Sequence, residues 1–298
     1  MKKLIFKKID AFATDKSAGN PAGAIYLNKE NELNSTEMQK IAGELKGFVN
    51  EVGYVIELDN ETFGMKYYSS EREVDFCGHA TIAIMYDLLK NDPELVKKST
   101  INIVTSKGRL LVQNRIQDED AVFISAPYPL FSNKSVNKAQ IAEALNVNAQ
   151  DMDESCPIAI VNAGLETLIV PIRTLPTILA IHPDFMKLKL FCENSCIDIV
   201  VVFSSEVSDE SNRFRTRVFA PRFGYLEDPA TGSGNAAFGH YLLKHKKWNG
   251  EIISLEQNGM VDQSNIIKIL SRPDKMNKNE VAFGGGAILR IKGEYFLV

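Results

Sequence analysis

Glu227-Asp228-Pro229-Ala230-Thr231-Gly232-Ser233-Gly234-Asn235-Ala236-Ala237 carries an acidic pair into a Pro/Gly turn and the turn into an apolar helix. The first amides of a helix have no partner within it, so such a turn aims free N–H groups at whatever anion sits in front. A fainter copy runs Glu73-Val74-Asp75-Phe76-Cys77-Gly78-His79-Ala80-Thr81. Setting Cys77 against Thr231 also sets Leu88-Leu89-Lys90 against Leu242-Leu243-Lys244. Two mirrored helix N-termini point to two similar halves serving one ligand.

The repeat extends outward from these turns. Lys66-Tyr67-Tyr68 sets against Arg217-Val218-Phe219, and Glu51-Val52-Gly53-Tyr54-Val55 against Asp198-Ile199-Val200-Val201-Val202, with the drift that small loop insertions produce. Alternation and turn residues predict strands at Phe6–Ala13, Ala24–Leu27, Glu51–Leu58, Phe63–Tyr68, Ile101–Val104, Arg109–Val112 and Ala121–Ile124. Ala18-Gly19-Asn20-Pro21-Ala22-Gly23 reads as a turn, and Ser35 opens a helix through Leu45. After Pro129 come a helix at Lys138–Leu145, strands at Ile158–Val161 and Thr167–Pro171, and one helical stretch from Leu175 to Leu190. Strands at Asp198–Phe203 and Phe214–Phe219 then lead into the second acidic turn, and residues 281–298 give two last strands. Many strands with one long helix per half predict an α+β fold, each half a curled, mainly antiparallel sheet around a central helix. The expected division is 1–125 with 283–298, and 126–282.

Composition narrows the function. Of 298 residues, 45% are hydrophobic and 24% charged, as in a folded chain of one large domain or two ordinary ones. A net charge of −4 offers no footprint for nucleic acid or an anionic membrane. The four cysteines, Cys77, Cys156, Cys192 and Cys196, form no CxxC pair and no zinc set, so reduced thiols and a cytoplasmic location are expected. Lys7-Lys8 interrupts Leu4-Ile5-Phe6, and neither a signal h-region nor a membrane span follows. A homodimer is the expected assembly, since symmetric dimers are the commonest.

Few residues can carry chemistry. Glu51 opens an apolar strand after Phe48-Val49-Asn50; it is either a solvated strand end or a dehydrated carboxyl able to carry a proton near neutral pH. His79 falls in the first turn of its helix, where imidazolium is disfavoured, and is either a neutral donor or acceptor or a structural histidine. Asp228 could be an N-cap or Asx-turn residue. Cys77 at a helix N-terminus could be a thiolate or a small buried apolar side chain. His182, His240 and His245 lie on expected helices as surface or packing residues. Gly232 to Ala237 matches the dinucleotide fingerprint in letters but lacks a strand feeding straight into it.

Ile9-Asp10-Ala11-Phe12, Gly19-Asn20-Pro21-Ala22-Gly23, Asn50-Glu51-Val52, Phe76-Cys77-Gly78-His79-Ala80-Thr81, Phe219-Ala220-Pro221-Arg222-Phe223-Gly224 through Ser233, Glu256-Gln257 and Phe283-Gly284-Gly285-Gly286-Ala287 together resemble the phenazine-biosynthesis PhzF-like family, which shares its fold with diaminopimelate epimerase. The resemblance implies two pseudo-symmetric domains with the active site between them and neither metal nor organic cofactor. It implies an isomerase that moves a proton on a small carboxylate-bearing molecule. Glu51 matches the proton-carrying glutamate, and His79, Asp228 and Ser233 match residues around the substrate. The amides near Gly78 and at Gly232, Ser233 and Gly234 would bind the carboxylate, and Asn20 is a further substrate-binding candidate. Cys77 and Thr231 occupy the places of the paired cysteines of the fold's epimerases, so two-thiol racemisation is not expected. The sequence departs from the family's pattern at Asn50, at Ser69-Ser70 and at Asp262 to Asn265. Two alternatives stay open: a one-thiol epimerase or dehydratase using Cys77, and a small-molecule-binding protein without turnover.

Overall fold

Strand β1 (Lys2–Ala11) lies antiparallel to β2 (Asn20–Leu27), and from this pair the first half of the chain is built. The structure, a computed structural model, describes residues 1–28, 31–274 and 277–298. Within them, seven α-helices and a mostly antiparallel set of strands make an α+β protein. The chain divides into two units, Met1–Ser125 with Gly284–Val298, and Ala126–Phe283.

In the first unit, helix α1 (Ser35–Glu44) leads to β3 (Glu51–Asp59), β4 (Thr62–Ser69), the short β5 (Glu73–Val74) and helix α2 (Gly78–Asn91). Then come β6 (Thr100–Thr105), β7 (Gly108–Arg115), the short helix α3 (Ile116–Glu119) and β8 (Ala121–Ser125). Pairing runs from the C-terminal strand Ala287–Leu297 through β1, β2, β3, β4, β6 and β7 to β8, with the β2–β3 and β4–β6 pairs parallel. Helix α2 packs against β1, β2, β3, β8 and the C-terminal strand. That is why it is apolar nearly all round, burying Ala80, Ile82, Ala83, Ile84, Met85 and Leu89. Each fully buried Ile or Leu contributes about 1.5–3 kcal/mol of transfer free energy. Helix α1 covers the other face, with Met38 and Ile41 against Val52, Tyr54 and Tyr68.

The second unit repeats the plan. After β9 (Leu130–Phe131), helix α4 (Lys138–Leu145), β10 (Ala159–Asn162) and β11 (Glu166–Pro171) come helices α5 (Leu175–Ala180) and α6 (Phe185–Asn194). Then follow β12 (Ile199–Ser204), β13 (Phe214–Phe219), the short β14 (Glu227–Asp228), helix α7 (Gly232–Lys244), β15 (Ile253–Gln257), β16 (Asn265–Pro273) and β17 (Asn279–Gly285). The parallel pairs recur in order, β11–β12 and β13–β15, as do the antiparallel pairs β12–β13, β13–β14 and β15–β16. Helix α7 packs against β10, β11, β12 and β16, while Ile141, Leu145, Ile178 and Leu188 of the outer helices join a core with Leu168, Val200 and Val202.

Several elements differ from the sequence reading. The turn before β2 ends at Gly19 (φ +67), and Asn20 to Gly23 are already strand, with Pro21 near its start. The cap of α1 is Asn34, which forms a capping box with Glu37, and Ser35 is the first helical residue. The stretch from Leu175 is two helices. Pro183 disfavours helix at His182, and Asp184 caps a new start by accepting from Lys187 N at 2.9 Å. His182 therefore lies between helices, whereas His240 is 3% exposed within α7. Strands β15 and β16 are additional to those expected.

Candidate active site

Glu51 is the first residue of β3, registered between Ala22 of β2 and Ser69 of β4. Buried Val52, Gly53, Tyr54 and Val55 follow it and fix the strand. Its Oε2 is buried and makes no hydrogen bond among the described residues, but lies 3.3 Å from Nε2 of His79. Loss of water around the carboxyl pushes its pKa up to about 7. Asn20, 2% exposed, opens the neighbouring strand β2, and Ala22 of that strand pairs with Glu51.

His79 is the second residue of α2, and Cys77 is the N-cap of that helix. Cys77 Sγ sits 3.5 Å from His79 Nδ1, so the imidazole meets both a thiol and a carboxyl. Donor atoms of Glu51, Cys77 and His79 all lie within 4.8 Å of one another, a spacing that could also hold a metal ion. Below the turn, Thr81 Oγ1 donates to the Cys77 carbonyl at 2.7 Å and lies 2.6 Å from the buried Tyr67 hydroxyl.

The second turn matches the first in backbone. Thr231 caps α7 at φ −122, ψ 111, and Cys77 caps α2 at φ −130, ψ 108; neither side chain makes a capping hydrogen bond. The first helical bonds run from Thr81 N to Cys77 O at 3.0 Å and from Asn235 N to Thr231 O at 3.3 Å. The amides of Gly232, Ser233 and Gly234 precede that bond and open the helix. An added Cβ on Gly232 would lie 2.2 Å from the Phe283 ring, so only glycine brings the helix start this close to that side chain.

The two acids of this turn have different partners. Arg217, 3% exposed, grips Glu227 with Nε to Oε1 at 2.9 Å and Nη2 to Oε2 at 2.8 Å. Asp228 is not the N-cap; its Oδ2 accepts from Thr231 Oγ1 at 2.6 Å. Strand register places Val74 opposite Tyr67 as Asp228 is opposite Val218, so Val74 stands where the second turn has Asp228. The glycine-rich letters occupy the first turns of α7 after a two-residue strand, without the long feeding strand of a dinucleotide site. Gln257, Asn235 and Thr81, which hold the turns from behind, carried no signal of their own beyond the Glu256-Gln257 letters.

Two α+β units whose core strands pair in the same order, each with a central helix and a turn at its N-terminus, define an epimerase-like fold. The chain belongs to the phenazine biosynthesis-like PhzC-PhzF family, whose model matches residues 9–293. An uncharacterized isomerase of Clostridium acetobutylicum is 29% identical, with 100% of this chain and 99% of the relative covered. A PhzF-family phenazine biosynthesis protein of Bacillus anthracis has a similar structure, with TM-score 0.86, 24% identity, and 99% and 100% of the two chains covered. A protein of Pseudomonas aeruginosa described as a predicted epimerase gives TM-score 0.72 at 19% identity, covering 98% and 99%. None of the helices among the described residues is long and apolar enough to cross a membrane.

Proposed function

We propose that this protein is an isomerase that moves a proton on a small carboxylate-bearing substrate, with Glu51 as the proton carrier. The observation that carries the reading is the Glu51 carboxyl itself, buried at Oε2 without a hydrogen-bond partner among the described residues, beside His79, and pushed up to about 7. A carboxyl near neutrality both takes and returns protons efficiently at physiological pH. The isomerase names of relatives such as the Clostridium acetobutylicum protein support the reaction class. Amides at Gly78, beside Glu51 and His79, would hold the substrate's carboxylate and any enolate charge, and those at Gly232 to Gly234 are further candidate anion-binding groups. His79 and Asp228 are the groups proposed to hold an amine or hydroxyl or to pass the proton on, and Ser233 and Asn20 are further proposed substrate-binding residues. The chemistry calls on no group from outside the protein.

The test is incubation in D₂O with small amino and hydroxy carboxylates, a dihydro-hydroxyanthranilate among them, followed by mass spectrometry. Deuterium at carbon supports the reading. Ligand-induced stabilisation with no deuterium uptake anywhere in the panel would instead favour a binding protein. A one-thiol epimerase or dehydratase is the second reading, favoured by the 3.5 Å approach of Cys77 Sγ to His79 Nδ1. Loss of turnover on Cys77→Ala, with Glu51→Gln still active, would select it.

A further inference from the structure

We infer that Gln257 is a positioning residue that sets the direction of the hydrogen bond received by the Asp228 carboxylate. The inference rests on reading Asp228 as a substrate-facing group, although the hydrogen-bond chain stands on its own geometry. Gln257 ends β15, is 0% exposed, and uses its whole carboxamide on the second turn. Its Oε1 accepts from Thr231 N at 2.9 Å and from Asn235 Nδ2 at 2.6 Å. Its Nε2 donates to the Asp228 carbonyl at 2.8 Å and to Thr231 Oγ1 at 3.2 Å.

These partners fix which way the amide faces. The Thr231 N–H and the Asn235 amino group can only donate, and the Asp228 carbonyl can only accept. A flipped carboxamide would put donor against donor and acceptor against acceptor, so Nε2 must face Thr231 Oγ1. The threonine hydroxyl, accepting from Gln257, then turns its own hydrogen toward Asp228 Oδ2, 2.6 Å away. Asn235 completes the brace. Its amino group also donates to the Thr231 carbonyl at 2.8 Å, and its Oδ1 accepts from Thr216 Oγ1 at 3.1 Å. Polarity thus passes from Gln257 through Thr231 to Asp228.

The sister turn shows that the fold can hold such a turn without this device. There Thr81 and Tyr67 brace the Cys77 carbonyl with hydroxyls, and Val74 stands at the place of Asp228. The carboxamide belongs to the turn that has a carboxylate to orient.

The test uses the full chain labelled with ¹³C at aspartate carboxyls, with the Asp228 resonance assigned by its loss in Asp228→Asn. At fixed pH, Gln257→Met and Thr231→Val should each move that resonance, and Thr231→Ser should leave it near its wild-type position. The shift in the double variant Gln257→Met/Thr231→Val should fall well short of the sum of the two single shifts, because Gln257 acts on the carboxylate chiefly through the hydroxyl, and only its bond to the Asp228 carbonyl adds to Thr231→Val. An unmoved resonance in Gln257→Met, or additive shifts in the double variant, would overturn the inference. If Gln257→Met does not fold by circular dichroism, Gln257→Leu serves, since it too removes the donor without adding a titratable group. Under the proposed isomerisation, the folded Gln257 variant should also lose about a hundredfold in turnover, the scale of a misplaced contact. Absent uptake by the wild type would count against the isomerase reading, while the carboxyl resonance still decides the role of Gln257.

Discussion

Nε2 of His79 lies 3.3 Å from Oε2 of Glu51, joining the first turn of a helix to the first residue of a strand. The carboxyl is largely buried, and burial raises its pKa from 4.5 to about 7. A base must be deprotonated to act, so kcat/KM for proton abstraction should climb with pH and level off above about 7. The same shift sets a stability slope. A carboxyl raised on folding contributes stability that is full below 4.5 and lost as pH rises through about 7. Glu51→Gln does not titrate. It should therefore gain on the wild type as pH rises, by up to about 3 kcal/mol above neutrality. Urea unfolding of both proteins near pH 5 and pH 8.5 checks the sign.

The imidazole also meets Cys77, and two substitutions separate its neighbours. Cys77→Ala should keep deuterium uptake within about tenfold of the wild type, whereas His79→Ala should lose roughly a hundredfold or more, the range of a lost proton-transfer partner. Initial rates with the same panel compound measure both. Dialysis against EDTA should leave the wild-type rate unchanged.

Arg217 should matter to stability more than to chemistry. Besides its two bonds to Glu227, its Nη1 donates to the carbonyls of Ile178 at 2.9 Å and Ile181 at 2.7 Å. Arg217→Ala leaves a part-buried carboxylate and buried carbonyls without that partner. It should cost about 3–5 kcal/mol, as breaking a buried pair does. Denaturant midpoints at constant slope provide the measure.

Gly232 and Ser233 are adjacent but should differ in what they do for stability. Gly232→Ala forces a methyl toward the Phe283 ring, 2.2 Å from the ideal position. It should cost about 1–3 kcal/mol of overpacking. Ser233→Ala should stay within about 0.5 kcal/mol of the wild type, because Ser233 is only part-buried. Thermal melts distinguish the pair, and substrate affinity should fall in both.

The repeated turns were legible because helix starts carry strong local chemistry. Cys77 and Thr231 prove to be the two N-caps with nearly the same backbone angles. Alternation and the switch to helical spacing gave the α+β plan, and Lys138–Leu145 and Phe214–Phe219 emerged with the bounds read from sequence. Less was legible where a single residue redirects the chain. Pro183 with the Asp184 cap splits one apolar stretch into two helices, and the Gly19 turn lets Pro21 enter a strand. Partnerships over long separations were not legible at all. Nothing local says that Arg217 takes Glu227 while Thr231 takes Asp228, or that Gln257 closes on a turn 26 residues earlier. Those pairings exist only once β13, β14 and β15 lie side by side.

Mass spectrometry of panel compounds incubated in D₂O with wild-type protein and with Glu51→Gln tests the central claim most directly. Deuterium should appear at a substrate carbon with the wild type and fall by a factor of about a hundred or more in a normally folded Glu51→Gln. Undiminished uptake in that variant would contradict that claim and remove Glu51 from the reaction.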